Sequence, residues 1–308
     1  MIVIVCPGQG SQTPGFFTPW LELPSFRKSI EAMQDASGVD LITHGTISDA
    51  ETIRDTAIAQ PLIVAAGVAT MSALLDGKTL KELGIAGISG HSVGEITAAV
   101  GAGILDAETG ICFVNTRGQA MAKAAALEPT SMAAIIGGDQ SEIEVKLAAL
   151  DLEPANYNGA GQIVAAGQAQ KISDLQADPP AGARVIPLQV AGAFHTRFMQ
   201  PAVEVLSDYS KGISANDPEL TLWSNQQGQV VASGDDFIKL MVSQISSPVR
   251  WDYCMKAMLD AGVSAMIELS PAGTLVGLAK RAMPGVETLA VKTPENLEQA
   301  LSLIDKHR

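Results

Sequence analysis

Ala86-Gly87-Ile88-Ser89-Gly90-His91-Ser92-Val93-Gly94-Glu95 is the stretch on which the fold turns. Ala86–Gly90 is short, apolar and bounded by glycines, which predicts a buried strand. From Val93 to Gly101 the pattern becomes that of an Ala-rich helix. A strand running straight into a helix bends sharply at Gly90-His91-Ser92-Val93-Gly94 and pushes the serine out at the tip, where the flanking glycines remove side chains that would clash. Helix N–H groups also favour negative charge beside Ser92. The Gly-x-Ser-x-Gly spacing alone is common. Its strand–turn–helix setting makes Ser92 a candidate nucleophile, with a capping serine in a glycine-rich turn as the alternative.

Working outward, the chain alternates strands and helices. Ile2–Cys6 is a first strand, with no basic stretch before it to suggest a signal peptide. Helices follow at Ser25–Ser37 and Pro61–Leu75, then at Val93–Gly101 and Ala107–Ala125. This order predicts a largely parallel sheet with helices on both faces. The uncharged run Thr56–Leu75 imitates a membrane span, but Gln60, Pro61, Thr70 and Ser72 make it a buried core helix instead.

Between residues 128 and 191 the texture changes. Strands at Met132–Gly137, Pro154–Asn158, Gln162–Ala166 and Arg184–Val190, with helices at Ser141–Leu150 and Lys171–Ala177, spell βαββαβ. That is a ferredoxin-like small domain inserted into a large α/β domain made of residues 1–127 and 192–308. After the insert come a helix at Pro201–Lys211, a strand at Leu220–Ser224 and a helix at Asp235–Ile245. A strand at Ala265–Leu269, a helix at Thr274–Arg281, a strand at Glu287–Val291 and a final helix close the chain.

Composition narrows the function. Of 308 residues, 47% are hydrophobic and 17% charged, which fits a globular chain with a large core. A net charge of −13 argues against nucleic acid as a partner. Cys6, Cys112 and Cys254 are too scattered for a disulfide framework or a zinc site, and suggest reduced thiols in the cytoplasm. No metal or bound cofactor is implied, and a monomer is expected.

A serine nucleophile needs a base. Of four histidines, His307 is in the tail and His44 lies among loop-like residues, while the His91 side chain should point away from that of Ser92. His195 remains, as a base or as a structural histidine. On the helix Ala107–Ala125, Arg117 falls within the apolar face of Ile111, Val114, Gly118, Met121 and Ala125, with no acidic residue three or four positions away. It must find a tertiary carboxylate or that of a ligand. Pro7-Gly8-Gln9-Gly10-Ser11-Gln12 is a tight loop at the sheet's carboxyl edge rather than a dinucleotide fingerprint, because Thr13 replaces the third glycine. Gly77-Lys78-Thr79 follows a helix and lacks the leading glycine of a phosphate loop.

Taken together, these motifs resemble the malonyl-CoA:acyl carrier protein transacylases. The loop from Pro7 to Gln12, the Ser92 turn, Thr116-Arg117-Gly118-Gln119-Ala120-Met121 and Asn156-Tyr157-Asn158 with Gly161-Gln162-Ile163-Val164 carry the likeness. So do Gly192-Ala193-Phe194-His195, Pro248-Val249-Arg250-Trp251 and the stretch from Glu268 through Pro271-Ala272-Gly273 to Lys280-Arg281. The resemblance implies a hydrolase-like large domain and a ping-pong reaction. Ser92 would take the malonyl group from malonyl-CoA with His195 as base, and the phosphopantetheine thiol of acyl carrier protein would then receive it.

The resemblance also implies that the Gln244 backbone carbonyl orients His195, and that the Gln9 and Val93 N–H groups form the oxyanion hole. Arg117 would bind the malonyl carboxylate, and Phe194 would crowd the α-methyl group of methylmalonyl substrates. Asn156, Asn158 and Gln162 either line the domain cleft or bond the insert's strand ends, and Trp251 is expected in the core. Lys280 and Arg281 are either a landing site for the acidic carrier or a solvated helix end. The sequence leaves the acceptor open: the carrier of fatty acid synthesis, of a malonate decarboxylase or of a polyketide synthase. A serine thioesterase or esterase and a non-enzymatic carrier-binding scaffold are the readings from other classes.

Overall fold

A computed structural model describes all 308 residues, Met1 to Arg308. β1 (Ile2–Cys6) is buried at every position, as expected of a strand covered on both faces. It pairs in parallel with β2 (Gly87–Gly90) on one side. Between these strands run α1 (Pro24–Ser37), the short α2 (Leu41–Thr46) and α3 (Thr56–Leu75). α4 (Gly94–Gly101) and α5 (Ala107–Ala125) follow β2.

The next stretch holds β3 (Thr130–Gly137), α6 (Gln140–Ala149), β4 (Glu153–Gly159), β5 (Gln162–Gln168), α7 (Ala169–Ala177) and β6 (Ala183–Pro187). The chain then continues with α8 (Gln200–Ser210), β7 (Thr221–Trp223) and α9 (Gly234–Ser243). β8 (Val249–Arg250), α10 (Trp251–Asp260), β9 (Ala265–Glu268), α11 (Thr274–Ala282), β10 (Glu287–Ala290) and α12 (Asn296–His307) complete it.

Two sheets result. One has the order β10-β9-β1-β2-β7 with every pairing parallel; the other has the order β6-β3-β5-β4-β8. In the second sheet β3, β4, β5 and β6 pair antiparallel over a separate core that includes Ile135, Leu147, Ile163 and Leu175. β8 joins its edge in parallel, matching Asn156 to Val249 and Tyr157 to Arg250. The largest core packs α1, α3 and α5 against the parallel sheet, and Trp223, Trp251 and Met255 belong to a second cluster.

Several elements differ from the sequence expectation. α3 starts at Thr56 and not at Pro61, because the Asp55 side chain caps it by accepting from the Ala57 N–H at 2.8 Å. Pro61 sits inside the helix, where its ring nitrogen has no hydrogen to donate. α3 is long and apolar enough to cross a membrane, yet 78% of its apolar window is buried inside the protein. His44 lies in α2, capped by Asp40, and not in a loop. β6 stops at Pro187; Leu188 still donates its N–H to the Met132 carbonyl at 2.9 Å, and Leu188 and Val190 line a cleft. β8 and α10 were not legible at all; a two-residue strand has no periodicity to read.

Candidate active site

The turn after β2 is built by close backbone approach. A Cβ on Gly94 would lie 2.2 Å from the Cys6 carbonyl oxygen, and one on Gly90 would lie 2.0 Å from the Gly94 carbonyl carbon. β1 and the start of α4 therefore touch through bare backbone, and Ser92 is held at φ 53°, a left-handed conformation costly for a side chain. Its N–H donates to Asn225 Oδ1 at 2.8 Å, which fixes the strained turn from the end of β7.

His195 also has a left-handed backbone, with φ 63°. Its Nε2 lies 2.7 Å from Ser92 Oγ, and its Nδ1 lies 2.8 Å from the Gln244 carbonyl oxygen. A carbonyl only accepts, so Nδ1 carries the hydrogen and Nε2 is left free to accept from the serine hydroxyl. Burial holds the imidazole down to about 3, assisted by the positive charge of Arg117 and opposed by the Gln244 bond. The ring is therefore neutral at pH 7, as a general base must be.

Arg117 is 1% exposed, and no carboxylate lies within ion-pair distance of it. Its Nη1 donates to Gln60 Oε1 at 2.7 Å, and Nη2 donates to Gln244 Oε1 at 3.3 Å and to Ser92 Oγ at 3.4 Å. Burial lowers its pKa to about 10, partly offset by the charge of Glu95, so it stays cationic at neutral pH. A desolvated guanidinium partnered only by neutral groups, within reach of a serine hydroxyl, is a ready receptor for a carboxylate on an acyl group bound to that serine. The structural ion pair weighed from sequence is absent.

The N–H groups of Gln9 and Val93 have no protein acceptor. Gln9, Gly10 and Gln12 line one wall of a cavity of ≈ 460 Å³ that reaches Ser92 and His195. Asn156, Asn158 and Gln162 line the same cavity from β4 and β5, and Phe194 adds an apolar patch beside the base. Trp251 is fully buried, whereas Lys280 and Arg281 are exposed in the last turn of α11, whose Leu275 and Leu278 line the same cavity. Gly77-Lys78-Thr79 takes no part in it.

Sequence reasoning missed four residues. His91 lines the cavity, bonds Asn158 Oδ1 through Nε2 at 2.9 Å, and packs edge-on to Trp251. Burial pushes its imidazole pKa down. Gln60 holds Arg117, and Asn225 and Glu95 lie buried beneath Ser92. Only Glu95 had a visible signal, as an acidic residue in the first turn of an otherwise apolar helix. No group of three His, Cys, Asp or Glu side chains is placed to hold a metal ion.

Residues 3–295 match the model of the acyl transferase domain, and the chain is an acyltransferase of α/β architecture. It is 46% identical to the malonyl CoA-acyl carrier protein transacylase of Mycobacterium tuberculosis over 98% of this chain and 100% of that one. The crystal structure of the M. tuberculosis enzyme superposes with a TM-score of 0.92, covering 98% of this chain and 99% of that one. A malonyl-transacylase solved in complex with a type II polyketide acyl-carrier protein superposes with a TM-score of 0.91 at 29% identity, covering 98% and 99%. The chain belongs to the malonyl CoA-acyl carrier protein transacylase family.

Proposed function

We propose that this chain transfers the malonyl group of malonyl-CoA to the phosphopantetheine thiol of an acyl carrier protein, through a malonyl ester of Ser92, for fatty acid synthesis. The observation that carries this reading is the buried, carboxylate-free Arg117 guanidinium 3.4 Å from the Ser92 hydroxyl. A plain thioesterase or esterase has no use for such a group.

Ser92 Oγ attacks the thioester carbonyl carbon as His195 Nε2 takes its proton. The negative oxygen that forms is met by the free N–H groups of Gln9 and Val93, and the Gln244 carbonyl keeps the imidazolium oriented. The C–S bond breaks, and His195 returns the proton to the departing coenzyme A sulfur. The carrier thiol then gives its proton to His195 and attacks the ester carbon. Ser92 leaves, recovers the proton, and the malonyl thioester of the carrier is released. The malonyl carboxylate pairs with Arg117 throughout, while Phe194 walls the α-carbon.

The reaction needs no metal or bound cofactor. Asn156, Asn158 and Gln162 offer amides to the pantetheine arm, and Lys280 and Arg281 meet the acidic carrier. Residues 128–191 form a ferredoxin-like insert in a large domain of residues 1–127 and 192–308; the antiparallel order β6-β3-β5-β4 supports it. The protein works as a cytoplasmic monomer.

Intact mass after brief mixing with malonyl-CoA tests the proposal. A malonyl adduct on the parent, absent from Ser92→Ala and discharged by holo acyl carrier protein, is expected. An adduct that discharges to water faster than to every carrier offered would instead indicate a thioesterase.

A further inference from the structure

Beneath Ser92 lies a set of buried polar groups to which the transfer steps assign no task. Glu95 is 1% exposed, and its two carboxylate oxygens are used separately. Oε1 accepts from the Asn225 N–H at 2.7 Å, and Oε2 accepts from the side-chain Nε2 of Gln244. At the other end of that amide, Oε1 accepts from Arg117 Nη2 at 3.3 Å. Asn225 extends the connection, because its Oδ1 accepts from both the Ser92 N–H and Gln244 Nε2, the latter at 3.2 Å. Its Nδ2 donates to the Gly90 carbonyl at 2.6 Å.

The direction of these bonds carries information. A carboxylate accepts and a guanidinium donates, so an amide spanning the two has one favourable orientation. Turning the Gln244 amide over would set its NH₂ against Arg117 and its oxygen against Glu95, exchanging two bonds for two repulsions in a water-free site. The same residue's backbone carbonyl accepts from His195 Nδ1 at 2.8 Å. One residue therefore touches the base and the guanidinium, and Glu95 sets which way it faces. Burial raises the Glu95 carboxyl to about 8 against the pull of the Asn225 N–H and the Arg117 charge, so the orientation argument applies to the ionised form, in which both oxygens accept from N–H groups.

We propose that Glu95 is a positioning residue for acyl selection: it locks the Gln244 amide, which holds the Nη2 edge of Arg117 toward Ser92 and so favours acyl groups that carry a carboxylate. The inference rests on the malonyl-transfer reading. Glu95 touches no substrate and acts through Gln244 and Asn225. An anchor that only tied α4 to the end of β7 would alter stability and slow every acyl group alike. A lock on Arg117 instead changes malonyl relative to acetyl transfer.

The test compares acyl-enzyme formation from malonyl-CoA and acetyl-CoA, with melting temperatures, in the parent, Glu95→Gln, Gln244→Met and the double variant. Gln244→Met removes the amide but keeps the carbonyl that serves His195. Each single variant is expected to lower malonyl kcat about tenfold and the malonyl-to-acetyl preference by a similar factor, the double losing little more. A malonyl-to-acetyl ratio within about twofold of the parent would overturn the role of Glu95, whatever happens to the overall rate. If Glu95→Gln does not accumulate folded, Gln244→Met decides by the same ratio. A parent that takes no malonyl group at all would overturn the transfer reading itself.

Discussion

Ser92 and His195 stand 103 positions apart in the chain, yet Oγ and Nε2 meet at 2.7 Å, and both residues hold left-handed backbone. Two strained positions facing each other across a cleft are retained only where the surrounding structure enforces them. His195→Ala should therefore leave the fold intact and slow acyl-enzyme formation by about 10²–10⁴-fold, read by rapid quench and intact mass.

Acid should affect this pair in an uncommon way. The folded His195 takes its proton only near 3, against 6.5 for an ordinary imidazole. The kcat/KM for malonyl-CoA should show no step at pH 6.5 from this group. The sign for stability is opposite to that of a paired histidine. Between 6.5 and 3 the unfolded chain binds the extra proton, so this residue lowers stability as the pH falls through that window. Urea unfolding at pH 7 and pH 5 should show a smaller acid loss in His195→Asn than in the parent.

Removing the guanidinium tests the choice of acyl group. Arg117→Ala should lower kcat/KM for malonyl-CoA by about 100-fold or more, since charge-assisted bonds contribute ~1.5–3 kcal/mol each. Loading from acetyl-CoA should persist. Equal losses for the two thioesters would show that Arg117 serves the site only by packing.

Phe194 is buried beside the base and lines the cavity. Phe194→Ser should raise methylmalonyl-CoA use relative to malonyl-CoA by about tenfold, the scale on which a pocket discriminates one methyl group. Competition between the two thioesters, read as the ratio of adduct masses, measures it.

Backbone contact at the serine turn predicts a severe structural variant. Gly94→Ala places a methyl 2.2 Å from the Cys6 carbonyl oxygen, where only backbone can yield. The loss should reach about 3 kcal/mol or more, seen as a melting temperature many degrees lower or no folded protein.

Much of this was legible in the sequence for identifiable reasons. The serine turn, the parallel strands around it and the apolar setting of Arg117 are local patterns, and local patterns survive without coordinates. What stayed hidden depends on distant chain. Asn225 and Gln60 are ordinary polar residues until the fold sets them under Ser92 and against Arg117. His91 makes no bond to the Ser92 hydroxyl, as expected; that its ring bonds Asn158 depends on β4, 67 positions along the chain. The start of α3 was misjudged because Pro61 masked the cap at Asp55.

The two-residue β8 has a bearing on protein engineering. It lies outside residues 128–191 yet completes the second sheet, and its Arg250 guanidinium sits 4.2 Å from the Tyr157 ring centroid while pairing with Asp252. A chimaera that swapped only the βαββαβ segment between relatives would sever this seam and leave the Asn156 wall of the cavity without its register. Exchange of that wall would succeed as a discontinuous graft, with Val249–Asp252 travelling alongside the segment they hold in place.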